Sequence, residues 1–260
     1  MKILKRVIDF CIKSSLLVAF AIFCLVEITV LSNHLRSNQM YSLGIFFGSI
    51  FAYNALKYCR FILEKRTISK ILLVIIIVSI AAAFAFLYFF FKFINSLKMQ
   101  LVFALVLVMI YPFIRKFAFL KLFWIALVIS YCTAVIPLFF KSKSLLFIVS
   151  HFFERFFLVV ALLIPFEISD YKIDCFSQQT VPQKFGISFG KKFGYFCLSI
   201  HIVLTLFNST LAIYFVLDLV ISILIGLFIY FSHENRNLYF ANFWVESMPI
   251  VWYFIILQLI

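Results

Sequence analysis

The run Leu145-LFIVSHFFERFFLVVALLIP-Phe166 is followed at once by Glu167-Ile-Ser-Asp170-Tyr-Lys-Ile-Asp174. Its apolar residues are continuous, and it is long enough to cross a hydrocarbon core of about 30 Å as a helix. A membrane barrel strand would instead alternate. The two aspartates beyond it stand four residues apart, so a helical backbone puts both on one face. A membrane helix that ends in a carboxylate pair is the reading from which the rest follows.

The composition extends that reading to the whole chain. Of 260 residues, 66% are hydrophobic and 13% charged, whereas a soluble domain is nearer half apolar. The mean hydropathy is +1.16. In lipid every backbone group must be satisfied within its own segment, which leaves helices or closed barrels. We expect an all-α polytopic membrane helix bundle around a central cavity, as a single domain over residues 1–260. The apolar runs are Ser14–Leu31, Tyr41–Ile62, Ile71–Phe91, Leu101–Ile114, Leu122–Phe140, Leu145–Phe166, Ser188–Phe207, Leu211–Phe231 and Phe243–Ile260. That is about nine spans, or eight if the seventh is re-entrant. The first run is longer than a signal peptide's apolar region and has no small-residue cleavage site, so it reads as a span.

The net charge of +13 does not point to nucleic acid in such a chain. With the runs numbered as spans, 17 Lys and Arg fall on the side of the N-terminus and 5 on the other, with Arg155 inside a span. The positive-inside rule then makes the N-terminus cytoplasmic. The loops after spans 2, 4 and 6 share that face, and the polar residues gather there. The six cysteines form no C-x-x-C pair and read as core residues.

Each of those three loops carries groups able to handle a phosphate. After span 6, Asp170 and Asp174 suit Mg²⁺, which takes one or two carboxylates plus substrate phosphates and water. After span 4 comes Tyr111-Pro-Phe-Ile-Arg115-Lys116, with Lys121 beyond. Arg binds a diphosphate by a bidentate fork and Lys as a point charge. Toward the end of span 2 lie Asn54, Lys57 and Arg60. A basic loop alone is no more than the positive-inside signal, and a polar residue such as Asn54 commonly serves helix packing.

Taken in order, these elements resemble the UbiA-type intramembrane prenyltransferases. Tyr111-Pro-Phe-Ile-Arg-Lys is similar to that family's Y-P-x-x-K-R element. Asp170-x-x-x-Asp174, followed by Thr180-x-Pro182 and Gly186, resembles its second aspartate motif. Asn54 stands where its first motif, N-x-x-x-D-x-x-x-D, begins. The resemblance implies transfer of a polyprenyl group from its diphosphate to a lipophilic, often aromatic, acceptor. It makes Asp170 and Asp174 catalytic metal ligands for Mg²⁺, and Arg115, Lys116 and Tyr111 neighbours of the diphosphate. In the family each aspartate motif holds one ion. Here the first motif has Tyr58 and Ile62 where Asp is needed, and Glu64 is the sole acid from Ala55 to Ser69. Lys57 or Arg60 would then supply a fixed positive charge in place of an ion. The alternative is a family member without catalysis that binds an isoprenoid or quinone, or assists a partner enzyme. An unrelated carrier is disfavoured by only 6 Gly and 5 Pro, since many transporters use broken helices.

Glu27, Glu154, Arg155, Asp218 and Glu246 lie within the spans. Intramembrane charges find partners or serve function. Glu154 and Arg155 are adjacent and so point apart, and Asp218 or Glu246 is the expected partner of Arg155. His151 shares a face with Arg155 and reads as a packing residue.

Overall fold

A backbone amide in hydrocarbon has no water to bond, and the chain meets this constraint with helices throughout. The computed structural model describes residues 2–35, 39–63, 69–140, 143–171, 180–237 and 239–259, with side chains for all of these except 2–4, 59–63 and 118. In chain order the helices are α1 (Lys2–Lys13), α2 (Leu16–Ser32), α3 (Gln39–Leu63), α4 (Lys70–Lys92), α5 (Asn95–Ile114) and α6 (Ala118–Ser130). A π-turn over Tyr131–Val135 joins α6 to α7 (Ile136–Phe139). Then come α8 (Leu145–Ser169), α9 (Val181–Phe185), α10 (Ile187–Asn208) and α11 (Ala212–Phe231). A second π-turn over Phe240–Val245 leads into α12 (Met248–Leu259).

Six helical segments of the described residues are long and apolar enough to cross a membrane, or seven if bent α1–α2 counts as one span. The expected count of nine also needs α3 and α10. They have 25 and 22 residues, long enough to cross, but contain Lys57 and Arg60, or Lys191 and Lys192. The run at Ser188–Phe207 is one continuous helix and not a re-entrant pair. The short fourth run starts earlier than its apolar residues suggest, at Asn95.

α1 is amphipathic. Lys5, Arg6, Asp9 and Lys13 fall on one side of its wheel, opposite Val7 and Cys11. It meets α2 at 71°, the attitude of a helix lying at the membrane surface. The turn between them needs left-handed backbone at Ser15 (φ 57°), a conformation unfavourable for a side chain. Two residues of α3 hold that turn. Asn54 Nδ2 donates to the Ser14 carbonyl at 3.0 Å, and the Tyr58 hydroxyl donates to the Lys13 carbonyl at 2.7 Å. At its other side α1 is held by the Tyr239 hydroxyl, which donates to Asp9. That bond raises the Tyr239 pKa above that of free tyrosine.

The core sits between α8 and its neighbours. Half of the α8 span is buried, against 17% for α4 and 22% for α5 at the lipid-facing side. Leu158, Ile164 and Ile168 of α8 meet Cys197 of α10, Ile225 and Ile229 of α11 and Trp252 of α12. Gly194 of α10 allows the closest approach. A Cβ there would stand 3.0 Å from Ile229 Cδ1 and 3.3 Å from Ile164 Cγ1. Gly194→Val must push these helices apart and should cost about 1–3 kcal/mol. A clear fall in the thermal unfolding temperature of purified protein is the expected result, and an unchanged one contradicts this packing.

Candidate functional site

A cavity of ≈ 530 Å³ lies within the bundle. Its wall is apolar: Val18 and Ile22 of α2, Ile45 and Leu56 of α3, Phe86 of α4, Leu101 and Leu105 of α5, Ile125 and Val128 of α6. The charged lining groups gather at one end, because the chain traverses the bundle up and down. Lys57 is near the end of α3, Arg115 just after α5, Lys121 at the start of α6 and Asp170 just after α8. Glu246 joins them from the C-terminal edge of the second π-turn, and Asn242 from within it. π-turns recur at functional sites because the extra residue re-aims side chains.

Of the residues expected from sequence, Lys57, Tyr111, Arg115 and Asp170 line this one cavity. Asp174 and the side chain of Arg60 lie outside the described residues. Asn54 is not at the cavity: it is buried between the Ser14 carbonyl and Ser79 of α4, whose Oγ it reaches at 2.9 Å. Both of these hydrogen bonds run to neighbouring elements of the fold. Lys116 is exposed and does not line the cavity, whereas Lys121 does.

Two groups that sequence reasoning did not assign to the site belong to its lining. Lys121 forms an ion pair with Glu167 at 3.0 Å. Glu167 also accepts from the Val181 amide at 3.3 Å, so it ties α6, α8 and α9 together. Glu246 was legible only as a charge within a span. It lines the cavity and interacts as an opposite charge with Lys57; of the two acids the sequence offered as partners of Arg155, Asp218 is the one that supplies opposite charge to it.

The Thr180-x-Pro182…Gly186 element builds the connection beside Asp170. Thr180 and Gln183 form a reciprocal capping box at the start of α9, through Gln183 N to Thr180 Oγ1 at 3.3 Å and Thr180 N to Gln183 Oε1 at 2.9 Å. Gln183 Nε2 also donates to the Tyr171 carbonyl at 2.7 Å, which fixes the chain next to Asp170. Gly186, with φ +89°, turns the backbone from α9 into α10. Pro182 packs on Gly190 one turn later.

Arg155, Glu154 and Asp218 form a separate buried group, whereas Glu27 accepts a hydrogen bond from Ser42 Oγ of α3. Arg155 Nη2 donates to Thr29 Oγ1 at 3.0 Å, and its guanidinium lies 5.2 Å from the Trp252 ring centre. Asp218 and Glu154 supply opposite charge to it. Asn208 Nδ2 donates to Glu154 at 2.5 Å and accepts from Ser150 at 2.7 Å. The His151 ring packs 4.1 Å from that of Phe147, the packing role expected. This group joins α2, α8, α10, α11 and α12 away from the cavity.

Three solved structures share this fold over nearly their whole length. A UbiA homolog from Aeropyrum pernix K1, in its apo state, superposes with a TM-score of 0.69 at 14% identity, covering 94% of this chain and 98% of that one. A UbiA homolog from Archaeoglobus fulgidus bound to GPP and Mg²⁺ gives 0.59 at 17% identity, over 95% and 99%. The same homolog bound to DMAPP and Mg²⁺ gives 0.61 at 15%, over 96% and 99%. No protein-family model matches the sequence, and no curated protein matches it significantly. The chain therefore has the UbiA-type prenyltransferase fold, an integral multi-pass membrane bundle, at low sequence identity.

The two roles assigned to Asn54 predict different outcomes. As a tether of the α1–α2 turn, Asn54→Ala should lose about 1–2 kcal/mol of stability through its hydrogen bonds. Faster amide exchange over residues 10–19 is the expected result, and intact exchange contradicts the tether.

Proposed function

We propose that this protein transfers a polyprenyl group from its diphosphate to a lipophilic, aromatic acceptor held in the cavity. The observation that carries the reading is a single cavity whose apolar wall ends in Lys57, Arg115, Lys121, Asp170 and Glu246. That division suits a substrate with a hydrocarbon tail and a polyanionic head. The Archaeoglobus structures, which hold GPP or DMAPP with Mg²⁺, support the same class of donor. On the positive-inside count, the charged end is cytoplasmic.

Arg115 and Lys121 steady the diphosphate, Arg by its fork and Lys as a point charge. The carbon–oxygen bond of the donor breaks with its electron pair passing to the diphosphate, and positive charge at the cavity's end favours that charge separation. An acceptor ring carbon then bonds the allylic carbon and loses a proton. The apolar wall keeps water from the allylic carbon, which water would otherwise capture. Mg²⁺ fits Asp170 and Asp174, because a hard ion needs only one or two carboxylates when a diphosphate supplies further oxygens. When bound, the ion neutralises charge on the leaving diphosphate.

A second reading has its own observation. Tyr58 stands at a family aspartate position and is engaged with the Lys13 carbonyl. This favours a member that binds an isoprenoid or quinone, or a partner enzyme, without turnover.

Purified protein supplied with mixed polyprenyl diphosphates, aromatic acceptors and Mg²⁺ should release diphosphate, and a chelator should stop it. Asp170→Ala should lower the rate by about 100-fold or more, the size of effect seen when a charge-stabilising group is lost. Lys116→Ala should leave it within about twofold, as expected for a residue away from the cavity. Lipid binding without any turnover selects the second reading, and an unchanged rate in Asp170→Ala removes the metal assignment.

A further inference from the structure

We infer that Lys57, oriented by Glu246, provides the positive charge at the α3 side of the diphosphate site, so that one divalent ion suffices where two would otherwise be required. This rests on the donor class proposed above.

The register of α3 carries the argument. Ser49, Tyr53 and Lys57 form an i, i+4 row that lines the cavity, with Gly48, Ala52 and Leu56 beside it. Asn54 and Tyr58 form the neighbouring row, turned by one residue, and neither lines the cavity. That row is committed elsewhere: Asn54 to the Ser14 carbonyl and Ser79, Tyr58 to the Lys13 carbonyl. The face of α3 that meets the cavity therefore contains no carboxylate, and the row where a family aspartate would stand points at the α1–α2 turn. An ion on this side would find no α3 ligand. Mg²⁺ parts with water reluctantly and binds where carboxylates anchor it.

Lys57 removes the need for that ion. Its ammonium reaches the cavity from the cationic position of the lining row, one turn beyond Tyr53, and Glu246 faces the cavity from the edge of the second π-turn. Glu246 is a positioning residue through its charge: it draws the ammonium, which stands 5.4 Å from the Tyr58 ring centre, toward the cavity and yields it to a stronger anion. A diphosphate entering apolar surroundings needs compensating charge, and a preorganised ammonium supplies it at a fixed place. Lys57, Arg115 and Lys121 then face the head group from three helix ends, with Asp170 left to anchor the ion.

The test counts metal and measures donor affinity together. Full-length protein in lipid nanodiscs is titrated with GPP in the presence of Mn²⁺ as a spectroscopic substitute for Mg²⁺. Wild type at saturation should hold about one Mn²⁺ per chain. Lys57→Met should weaken GPP binding by about tenfold or more, the effect of losing a charged hydrogen-bond partner, with Lys57→Arg retaining most of the affinity. Glu246→Gln should shift affinity less than Lys57→Met and leave the Mn²⁺ count unchanged. Thermal unfolding of each variant separates lost binding from lost folding, and Lys57→Arg keeps the test decisive if the Met variant does not fold. Two Mn²⁺ per wild-type chain, or GPP affinity indifferent to Lys57, overturns the inference while the donor assignment stands. Absence of GPP binding by wild type overturns the donor assignment and this inference with it.

Discussion

A backbone that has left water must satisfy itself, and almost every feature of this protein follows from how that constraint is met or locally relaxed. Straight helices satisfy it completely but present side chains in fixed register. The two π-turns, Tyr131–Val135 and Phe240–Val245, are where the register shifts. Both adjoin the cavity, through Cys132 and through Asn242 and Glu246. The carbonyl of Cys132 accepts a hydrogen bond from Tyr41 at 2.6 Å, so the departure is compensated by a side chain from another helix. The second turn brings a carboxylate to the cavity from a helix that otherwise packs its apolar face on α2 and α8.

The same constraint decides which polar residues bind substrate and which bind the protein. A polar side chain inside a bundle needs a partner, so each one is paired within the fold, aimed at the cavity, or both, as Lys121 is beside Glu167. Asn54 and Tyr58 are paired with carbonyls of the α1–α2 turn, where the backbone ceases to be helical and has acceptors to offer. Arg155 is paired with Thr29 and with the acids near it. The groups that remain at the cavity are the ones whose placement chemistry can use.

Much of this was legible in the sequence. Length and continuity of apolar runs gave the long helices to within a few residues, apart from α5, which starts at Asn95 and not Leu101; the amphipathic α1 and the short α9 carry no such run. The elements Tyr111–Arg115 and Asp170 were found because alternation of the chain across the bilayer puts the ends of spans 4 and 6 on one face. What remained hidden depended on rotation about helix axes. Asn54 and Lys57 differ by three residues, and sequence spacing does not say which faces the cavity. Lys116 and Lys121 sit either side of a tight turn, and only the course of that turn brings Lys121 inward. Glu246 was masked by a π-turn, which breaks the 3.6-residue period that face assignments rely on.

The position of the amphipathic helix α1 ties the two halves of the problem together. Ile12 and Ser15 line the cavity at its charged end, so the floor of α1 is also part of the cavity's rim. The α3 row of Asn54 and Tyr58 fastens α1 in place. One surface of α3 cannot both hold a surface helix against the bundle and offer carboxylates to a metal, because a carboxylate facing the Lys13 carbonyl would meet another acceptor. Tyr58 meets that carbonyl with a donor, and the positive charge of Lys57 stands one residue earlier, on the row that does meet the cavity.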